Sequence, residues 1–392
     1  MIDINKENKK LCTGCEACVQ ICPQTCIQME SDEEGFLYPK VNRDLCIKCG
    51  LCNKVCSIEN ELIIDNYFDK PKVYAGWNKN ESIRDKSTSG GIFSLLAKSI
   101  IEDNGLVVGA AFNNDFKVCH KSVSNKDDLD SLRGSKYVQS SINGAYINIE
   151  DKLRKGEKVL FSGTPCQIEG LKLFLGKEYS NLLTCGIVCH GVPSPMVFND
   201  YLGYLEKKFD SGIKSFYFRD KVNGWKNSNV TVYFEDGSKY SVLLGKDPYT
   251  NAFQCDLYLR PVCHNCGYKM NSDILLGDFW GIEKIDPKYD DNRGTSLIII
   301  NSQKGEKYFN IISKKINYKK SKYSDALLRN PNLEESSKPH NKREEFFDNY
   351  HKHEFEELIN IYMEPLISNL KNRVKRRLKK EIERFKEQIN NF

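Results

Sequence analysis

The sequence predicts a protein with a small cysteine-rich α+β domain, then a larger α/β domain with an antiparallel patch and a C-terminal helical tail. Three observations lead to this prediction. Two cysteine runs of equal spacing lie within the first sixty residues. After residue 72, apolar strand-like runs alternate with helical patterns, which is typical of sheets with parallel strands. The final stretch, residues 371–387, carries nine basic and three acidic residues on a helical pattern.

The two N-terminal cysteine runs have the spacing known from bacterial two-cluster ferredoxins. In that pattern three neighbouring thiolates hold one [4Fe-4S] cluster, and the fourth crosses to the other cluster. One cluster is therefore expected on Cys12, Cys15, Cys18 and Cys56, and the other on Cys46, Cys49, Cys52 and Cys22. A disulfide framework would need an oxidising compartment, and zinc usually takes two C-x-x-C pairs. We therefore expect a ferredoxin-like dicluster domain over residues 1–60, with Cys26 as a buried spare thiol.

The composition is that of an ordinary folded protein, with 392 residues of which 40% are hydrophobic and 11% aromatic. Met1–Lys10 is polar and shows no export signal, and the longest apolar runs, such as Leu106–Phe112, are too short to cross a membrane. Sixteen cysteines without an export signal favour the reducing cytoplasm. The basic C-terminal stretch accounts for the net charge of +5, so nucleic-acid binding by the main body is not expected.

The chain after Cys56 divides into a polar linker over residues 61–71, a large domain over 72–335 and a helical, basic amphipathic tail over 336–392. The predicted strands of the large domain are Lys72–Trp77, Leu106–Phe112, Lys158–Phe161, Leu182–Val188 and Gly294–Asn301. The predicted helices are Ser87–Ile101, Tyr146–Lys155, Cys166–Phe174 and Lys304–Ile316. A turn at Asp236-Gly237 predicts an antiparallel hairpin of Val230–Phe234 with Tyr240–Leu244, which Phe216–Phe218 extends.

Three polar segments of the large domain are candidate cofactor-binding loops. Two of them open predicted helices, where free N–H groups and the helix dipole favour a phosphate, and the third lies between them in Arg133–Ser140. The candidate residues are Ser89, Gly90, Gly91, Ser135, Lys136, Tyr137, Gly163, Thr164 and Pro165. Each segment also has a plain structural interpretation, because Ser, Thr and Gly commonly cap helices and a polar stretch is often a solvated loop.

Four cysteines of the large domain are candidate ligands of a further metal centre. Cys166 and Cys189 each follow a predicted strand, which places both thiols at the edge of a parallel sheet where α/β proteins bind ligands. Cys263 and Cys266 add a C-x-x-C pair, so a third [4Fe-4S] cluster is expected, with zinc as the alternative. A cysteine nucleophile with His190 as its base is less consistent, because residues adjacent in a chain seldom face one another. Cys119, Cys185 and Cys255 are expected to be structural thiols.

Seven segments of the large domain together resemble the family of beta subunits found in hydrogenases and dehydrogenases that use the deazaflavin coenzyme F-420. The segments are Ser89–Leu96 (SGGIFSLL), Arg133–Ser140 (RGSKYVQS), Leu160–Ile168 (LFSGTPCQI), Val188–Pro195 (VCHGVPSP), Phe218–Trp225 (FRDKVNGW), Arg260–Lys269 (RPVCHNCGYK) and Leu275–Ile282 (LLGDFWGI). The resemblance covers about Lys72 to Asn330, and a dicluster domain at the N-terminal side recurs in some members of the family.

The resemblance implies an iron–sulfur flavoprotein oxidoreductase in which FAD lies beside a [4Fe-4S] cluster. The family's cluster ligands fall on Cys166, Cys189, Cys263 and Cys266, and its flavin contacts fall on the SGG, GSKY and SGTP segments. A flavin exchanges hydride and also releases electrons singly, so such a protein would connect a ferredoxin-type partner with an organic hydride acceptor or donor. That molecule is the deazaflavin or another, including one linked to polysaccharide biosynthesis, and no residue is assigned to hydride transfer.

Two alternatives remain open at this point. The chain could be an electron-relay subunit of a larger redox complex, without a substrate site of its own. The C-terminal stretch presents one apolar stripe, formed by Leu370, Val374, Leu378, Ile382, Phe385 and Ile389. This stripe predicts a helix that packs on the main domain or on a second subunit, and the alternative is a basic helix lying on an anionic membrane at the inner face.

Overall fold

The computed structural model describes residues 8–60, 67–267 and 270–363. The strands among these residues are β1 Ile27–Ser31, β2 Leu37–Val41, β3 Tyr67–Asn78, β4 Leu106–Phe112, β5 Val118–Val123, β6 Val159–Gly163, β7 Leu182–Ile187, β8 Ile213–Asp220, β9 Asn229–Phe234, β10 Lys239–Leu243, β11 Ile274–Asp278, β12 Ser296–Ser302 and β13 Ile316–Ser321. The helices are α1 Ala17–Gln20, α2 Leu51–Lys54, α3 Glu81–Asp85, α4 Ile92–Glu102, α5 Ala145–Arg154, α6 Pro165–Leu175, α7 Pro195–Phe209, α8 Pro248–Gln254, α9 Ile282–Ile285, α10 Gln303–Ile312, α11 Tyr323–Leu327, α12 Arg343–Asp348 and α13 Phe355–Tyr362.

An eight-stranded mixed sheet forms the centre of the large domain, in the order β13-β3-β12-β11-β7-β6-β4-β5. Its middle strands β11, β7, β6 and β4 are parallel to one another. The middle strands are apolar on both faces, as in the almost fully buried β4, because helices cover both sides of a parallel sheet. The predicted α/β class is therefore confirmed.

The two flanks of the sheet are antiparallel, which the alternation of strands and helices did not predict. Strand β5 pairs with β4 through a tight turn, and β12, β3 and β13 form an antiparallel set at the other edge. Strands β5, β11 and β13 are absent from the sequence prediction. Strand β13 has the sequence INYKKS and is largely exposed, so hydrophobic periodicity gives it no signal.

A three-stranded antiparallel sheet, in the order β10-β9-β8, lies beside the main sheet. The hairpin predicted at Asp236-Gly237 joins β9 to β10 in the expected register. Helices α12 and α13 share one hydrophobic core with this smaller sheet, through Phe346 and Leu358 among others, and α13 packs on helices α7 and α8. Part of the range predicted as a tail, 336–363, thus contributes to the core, and the apolar stripe from Leu370 onward lies outside the described residues.

Strand β3 begins at Tyr67, inside the range 61–71 that the sequence assigns to a linker. Tyr67 pairs with Ser302 of β12 beyond a bulge, and its hydroxyl accepts a hydrogen bond from Lys172 Nζ at 2.9 Å. Phe68 packs against the core under α4. Through these contacts the end of the predicted linker joins the main sheet. Residues 61–66 lie outside the described part of the chain.

The N-terminal domain, a β1–β2 hairpin with the short helices α1 and α2, contacts the start of helix α5. The Glu16 carboxylate accepts the backbone N–H groups of Ile142 and Asn143 at 3.0 and 3.3 Å. Gln20 Oε1 accepts the backbone N–H of Tyr146 at 2.9 Å. The Tyr146 N–H is one that helix α5 leaves unpaired at its own start, whereas those of Ile142 and Asn143 lie in the turn before it. The small domain therefore binds the first turn of a helix of the large domain and the segment that leads into it.

The N-terminal domain and the large domain also approach each other closely at two glycines. A β-carbon added at Gly170 of α6 would lie 2.8 Å from Cys15 Cβ, and one added at Gly35 would meet Met196 at 2.2 Å. The buried Arg343 guanidinium also forms a two-pronged ion pair with Glu34. The cysteine runs are thereby held directly against the large domain.

Candidate functional site

The eight cysteines of the two N-terminal runs gather into two groups that follow the predicted crossed pattern. One small cavity is lined by Cys12, Cys15, Cys18 and Cys56, which we call the first cysteine group. A separate cavity is lined by Cys22, Cys46, Cys49 and Cys52, the second cysteine group. In each group the fourth thiol comes from the other run, because α1 and α2 pack together between the two cavities. Each group offers the four thiols that a [4Fe-4S] cluster takes.

Burial keeps most thiols of the first group neutral in the absence of a cation. Desolvation raises the pKa of Cys15 to about 11 and also raises that of Cys18 and Cys56. Because thiolates are the metal ligands, binding of a cluster at this site would displace protons. No three His, Cys, Asp or Glu side chains of the described ranges converge on a point suited to a single metal ion.

Cys26, the predicted spare thiol, is buried and lines the cavity of the second cysteine group. Its Sγ lies 3.4 Å from Cys22 Sγ. A hydrogen bond between these sulfurs lets Cys26 influence Cys22, although Cys26 is not one of the four cysteines expected to hold the cluster.

The third cysteine group, Cys166, Cys189, Cys263 and Cys266, lines one cavity at the predicted edge of the parallel sheet. Cys166 is the second residue of α6 and directly follows β6, and Cys189 follows β7. Burial raises the pKa of Cys189 to about 12 and that of Cys263 to about 11. The backbone N–H of Val192 donates to Cys263 Sγ at 3.3 Å, so this thiol already has a donor that favours its charged form.

Helix α6 begins within one residue of its predicted start, and more than one local feature stabilises that start. Thr164 and Gln167 form a capping box, and Pro165 occupies the first turn. Thr164 Oγ1 also lies 3.1 Å from Cys166 Sγ. The SGTP turn therefore positions a thiol and opens a helix at the same time.

His190 is engaged away from the neighbouring thiol. Its Nε2 lies 2.7 Å from Asp256 Oδ1, and its backbone oxygen accepts from Ser337. The imidazole thus faces a carboxylate, which does not support the alternative of a Cys189 nucleophile with His190 as its base.

The three predicted cofactor loops meet around one cavity, which we call the first cavity. It encloses about 1550 Å³ of empty space, its open mouth included. Among its lining residues are Ser89, Gly91, Gly134, Ser135, Lys136, Tyr137, Gly163 and Thr164. Gly90 and Pro165 are not among them: Gly90 N–H donates to Ser296 Oγ, and Pro165 lines the cavity of the third cysteine group.

Several polar groups of the first cavity lack a partner. Ser89 Oγ and Gln139 Nε2 are buried without a hydrogen bond in the described part of the chain. Gly134 has φ +80°, and a β-carbon there would find no atom within 4 Å. Buried polar groups are normally paired, so these orphaned groups fit a polar ligand such as a flavin nucleotide.

Lys136 is a half-buried lysine that lines the first cavity. Its Nζ donates to the carbonyl oxygens of Ser131 and Arg133 at 3.1 and 2.8 Å. Burial lowers the pKa of Lys136 to about 7. A ligand phosphate would favour the charged form, so this lysine is suited to bind an anion.

Sequence reasoning missed His120, which stands behind the same cavity. Its Nδ1 lies 2.9 Å from Ser140 Oγ, and its Nε2 lies 3.2 Å from the Ser162 carbonyl oxygen. Burial lowers the pKa of His120 to about 4, so the ring is neutral and holds two loops of the cavity together. A lone histidine in a strand carries no sequence signal for this role.

Arg260 was also missed, although it lies in the RPVC segment beside the third cysteine group. Its guanidinium is fully buried against the first group, with Nε donating to the Cys12 carbonyl oxygen at 2.8 Å and Nη2 lying 3.7 Å from Cys12 Sγ. The guanidinium also lies over the ring of Tyr38, with Arg260 Cζ 4.0 Å from the ring centroid. One arginine therefore touches both cysteine-rich regions.

Two of the segments that resemble the family, FRDKVNGW and LLGDFWGI, have no role predicted from the sequence. Their side chains form hydrogen bonds with one another. Arg219 donates to Asp278 at 3.0 Å, and Trp225 Nε1 donates to the other oxygen of Asp278 at 2.8 Å. Lys221 donates to three backbone carbonyls, including that of Ser89, and so fixes the SGG loop.

Comparison with known proteins identifies related families along most of the chain. Residues 156–325 match the family described as the C terminus of the beta subunit of coenzyme F420 hydrogenase/dehydrogenase, and residues 73–146 match its N-terminal counterpart. Residues 11–60 match the 4Fe-4S dicluster domain. Both matches of the large domain fall on the part of the chain that forms the first cavity and the third cysteine group.

Two known proteins are similar over most of the chain. One subunit of the F(420)H(2) dehydrogenase of Methanosarcina mazei is 23% identical over 317 residues, which are 77% of this chain and 82% of that protein. Coenzyme F420-dependent sulfite reductase of Methanocaldococcus jannaschii is 26% identical over 327 residues, which are 78% of this chain. The chain spans only 46% of the length of that reductase.

A solved chain from the F420-reducing [NiFe] hydrogenase complex of Methanosarcina barkeri superposes with a TM-score of 0.45 at 19% identity, covering 66% of this chain and 85% of that one. Within the described ranges, no helix has both the length and the hydropathy needed to cross a bilayer. The chain belongs to the family of coenzyme F420 hydrogenase/dehydrogenase beta subunits and carries a 4Fe-4S dicluster domain in front of the two regions of that family.

Proposed function

We propose that the protein is an iron–sulfur flavoprotein oxidoreductase. It passes electrons between a ferredoxin-type redox protein and FAD, and between FAD and an organic hydride carrier such as the deazaflavin coenzyme. The first, second and third cysteine groups hold [4Fe-4S] clusters, and the first cavity holds FAD. The names of both similar proteins, a dehydrogenase subunit and a reductase, support an oxidoreductase.

The observation that carries the proposal is the position of Thr13. This one residue lines the cavity of the first cysteine group, the cavity of the third group and the first cavity. Cys166 likewise lines both the third group's cavity and the first cavity. Groups bound in cavities that share walls are neighbours, so the arrangement supports a continuous electron path through the protein.

The residues of the first cavity supply what FAD needs. Ser89 Oγ and Gln139 Nε2 are available to hydrogen-bond the ligand, Gly134 leaves room for its backbone approach, and Lys136 offers positive charge near phosphates. Bound FAD would exchange two electrons with a hydride carrier and single electrons with a cluster.

The second cysteine group marks the side where a redox partner would dock. Cys49 is exposed, and Leu45 and Ile47 beside it are 56% and 60% exposed. Exposed apolar side chains next to a redox centre suit a transient protein contact. Electrons would then enter or leave through the second group and reach the large domain through the first.

A relay role is the second candidate. One similar protein is a subunit of a dehydrogenase by name, which favours a chain that passes electrons inside a larger complex. In that case the first cavity would lack a flavin, and the isolated chain would show no turnover with a small acceptor.

We expect about one FAD per chain in protein purified without oxygen, and we expect Gly134→Val to abolish most of this binding. Valine at φ +80° is strained and its side chain would project into the open space beside the cavity loop. Gly156→Val is the matched control, because Gly156 has φ +79°, also faces open space and does not line the first cavity. Chromatography of released flavin, counted per chain, measures the result.

The two variants separate strain from ligand loss. Both should lose similar stability, and only Gly134→Val should lose FAD. Wild-type protein with its iron–sulfur absorbance but without flavin would overturn the FAD assignment and favour the relay role. Equal FAD loss in both variants would show that strain alone, and not the cavity, explains the effect.

Binding of FAD at pH 8 should take up a proton at Lys136. With the pKa of Lys136 lowered to about 7 by burial, the free amine is mostly neutral at that pH, and the phosphates of FAD raise its pKa again. FAD affinity should therefore increase as the pH falls from about 9 to about 7 and level off below that, where the free lysine is already charged. Calorimetry in two buffers of different ionisation enthalpy measures the uptake.

Lys136→Gln should remove both the proton uptake and the pH dependence, whereas Lys117→Gln, at an exposed lysine of the β4–β5 turn, should leave both unchanged. Uptake that persists in Lys136→Gln would assign the proton to another group of the cavity.

A further inference from the structure

A second cavity opens beside the first and encloses about 1940 Å³ of empty space with its open mouth. It lies between the end of the three-stranded sheet and the main sheet, and it shares Lys136, Tyr137 and Asp278 with the first cavity. A molecule in the second cavity would therefore adjoin a molecule in the first. Of the candidate residues predicted from the sequence, Lys136, Tyr137 and Thr164 line this second space as well.

Arg219 is the polar anchor of the second cavity. Its side chain is 8% exposed, and it donates through Nε to Ser228 Oγ at 2.9 Å and through Nη1 to Asp278 at 3.0 Å and to Tyr137 Oη at 3.2 Å. Its Nη2 is buried and has no hydrogen-bond partner among the described residues. A buried guanidinium nitrogen without an acceptor is costly, so a ligand acceptor at this nitrogen would be favourable.

Asp278 does not satisfy this remaining nitrogen. One of its oxygens accepts from Arg219 Nη1, and the other accepts from Trp225 Nε1 at 2.8 Å. Trp225 stacks on Trp280 with ring centroids 4.5 Å apart, so the carboxylate is held in place by a rigid aromatic pair. The guanidinium is held by its bonds to Ser228, Tyr137 and Asp278, and only its Nη2 keeps unused donors among the described residues.

The rim of the cavity adds positive charge. Lys226 and Arg329 line it but are engaged by acidic neighbours, Lys226 by Asp290 and Arg329 by Glu283 at 3.3 Å. Lys246 lines the same rim and is exposed. An anion entering the cavity would meet Lys246 at the mouth and Arg219 inside.

We propose that the second cavity binds the organic substrate through an anionic group, a carboxylate or a phosphate, that pairs with Arg219 and is attracted by Lys246. This inference rests on the proposed function, because it gives the substrate class of the same redox site. Charge-assisted hydrogen bonds to guanidinium are among the stronger contacts in proteins, and the Nη2 of Arg219 could donate one to such a group. Substrates without an acidic group should bind weakly.

The test uses the full chain with FAD added in excess, so that the first cavity is filled. The probes are 2-naphthoate and its neutral amide, 2-naphthamide, which are close in size and differ in charge. Calorimetry gives both dissociation constants. The carboxylate should bind roughly tenfold more tightly than the amide, as expected for one charge-assisted hydrogen bond.

Arg219→Gln and Lys246→Gln should each reduce this preference for the carboxylate, and Lys214→Gln should keep it. Lys214 is an exposed residue of the same strand as Arg219 and does not line the cavity. Arg219→Lys, which keeps the charge but not the fork, should restore part of the preference. If Arg219→Gln does not fold, the Lys246→Gln result decides.

Equal binding of carboxylate and amide by the wild-type protein would overturn the proposal, and so would a preference that both Gln variants retain. The flavin count is measured on the same preparations. A protein without FAD that still prefers the carboxylate would contradict the proposed function alone, whereas a flavin-loaded protein without the preference would contradict only the substrate class.

Discussion

Replacing Cys166 with alanine is expected to remove the third cluster and to interrupt electron flow to the flavin. The iron content should fall from about twelve to about eight atoms per chain, because one of three [4Fe-4S] clusters is lost. Cys166 lies between the third group's cavity and the first cavity, so the loss falls at the step between cluster and flavin. Flavin reduction by a dithionite-reduced ferredoxin should fall by at least about 10- to 100-fold, since this is already the cost of losing an outer-shell partner of a metal site and Cys166 is a ligand in this proposal.

The control for this change is Cys119→Ala. Cys119 lies in β5 and lines none of the cavities described above, so its loss should change neither the iron content nor the rate. Iron and zinc are measured together. About one zinc atom and about eight iron atoms per wild-type chain would show that the third cysteine group holds zinc and not a cluster. An unchanged iron content in Cys166→Ala would show that Cys166 is not a cluster ligand.

Cys166→Ala also distinguishes the two candidate functions. In a flavoprotein the flavin should stay bound but no longer be reduced through the N-terminal clusters, since Ser89, Gly134 and Lys136 are untouched. If the chain is a relay, the variant should instead stop transfer to a partner protein, with no flavin signal in either form.

The sequence predicts the parts of this site that depend on local geometry. The SGTP turn is an example, because a buried strand, a Thr–Gln capping box and a proline in the first turn all act within six residues. The crossed cysteine pattern is another, because its spacing is set by a compact cluster. The turn is carried by a few adjacent residues, whereas the cysteine pattern is recognised by its known spacing, although the fourth thiol of each group comes from the other run.

Arg260 and Arg219 show what the sequence could not predict. Arg260 contacts Cys12 across 248 positions of the chain, and Arg219 contacts Asp278 across 59. An arginine is ordinarily solvated, whether it lies in a loop as Arg260 does or on a strand as Arg219 does, and only the packed structure removes the water from these two guanidinium groups. The antiparallel edge of the main sheet was missed for a related reason, because β13 is polar and gains its place from the strand beside it.

The structure also connects features that are far apart in the sequence. The cysteine runs of the dicluster domain form a pattern of their own, yet Glu16 binds the turn before helix α5, Gln20 caps the first turn of α5, and Gly170 approaches Cys15 closely. A docked small domain keeps its first cysteine group at a fixed position relative to the large domain. This rigid placement is what an electron path through both domains requires.

Arg260→Met is expected to lower the reduction potential of the cluster in the first cysteine group. The acceptors around the Arg260 guanidinium are two backbone carbonyls, the Gln139 amide oxygen and Cys12 Sγ, and none of them is a carboxylate. A buried cation without a carboxylate favours a negatively charged neighbour, and a cluster becomes more negative on reduction. Arg260 should therefore stabilise the reduced form.

The size of the effect follows from Coulomb's law. Two unit charges about 6 Å apart interact by roughly 3 kcal/mol at an effective dielectric constant of about 20. For a one-electron couple this corresponds to a shift on the order of 100 mV. A redox titration followed by electron paramagnetic resonance should show one cluster shifted to lower potential and the other two nearly unchanged.

Arg343→Met is the matched control, since Arg343 is also a buried arginine that joins the two domains, but its charge is balanced by Glu34. That variant should weaken domain packing with little change in any potential. Arg260→Lys should leave the reduction potential of this cluster close to its wild-type value, because the positive charge remains although the contacts with the carbonyl oxygens are lost. If Arg260→Met and Arg343→Met shifted the same cluster equally, looser packing and greater solvent access would explain the result, and the buried charge of Arg260 would have no special part in setting the potential.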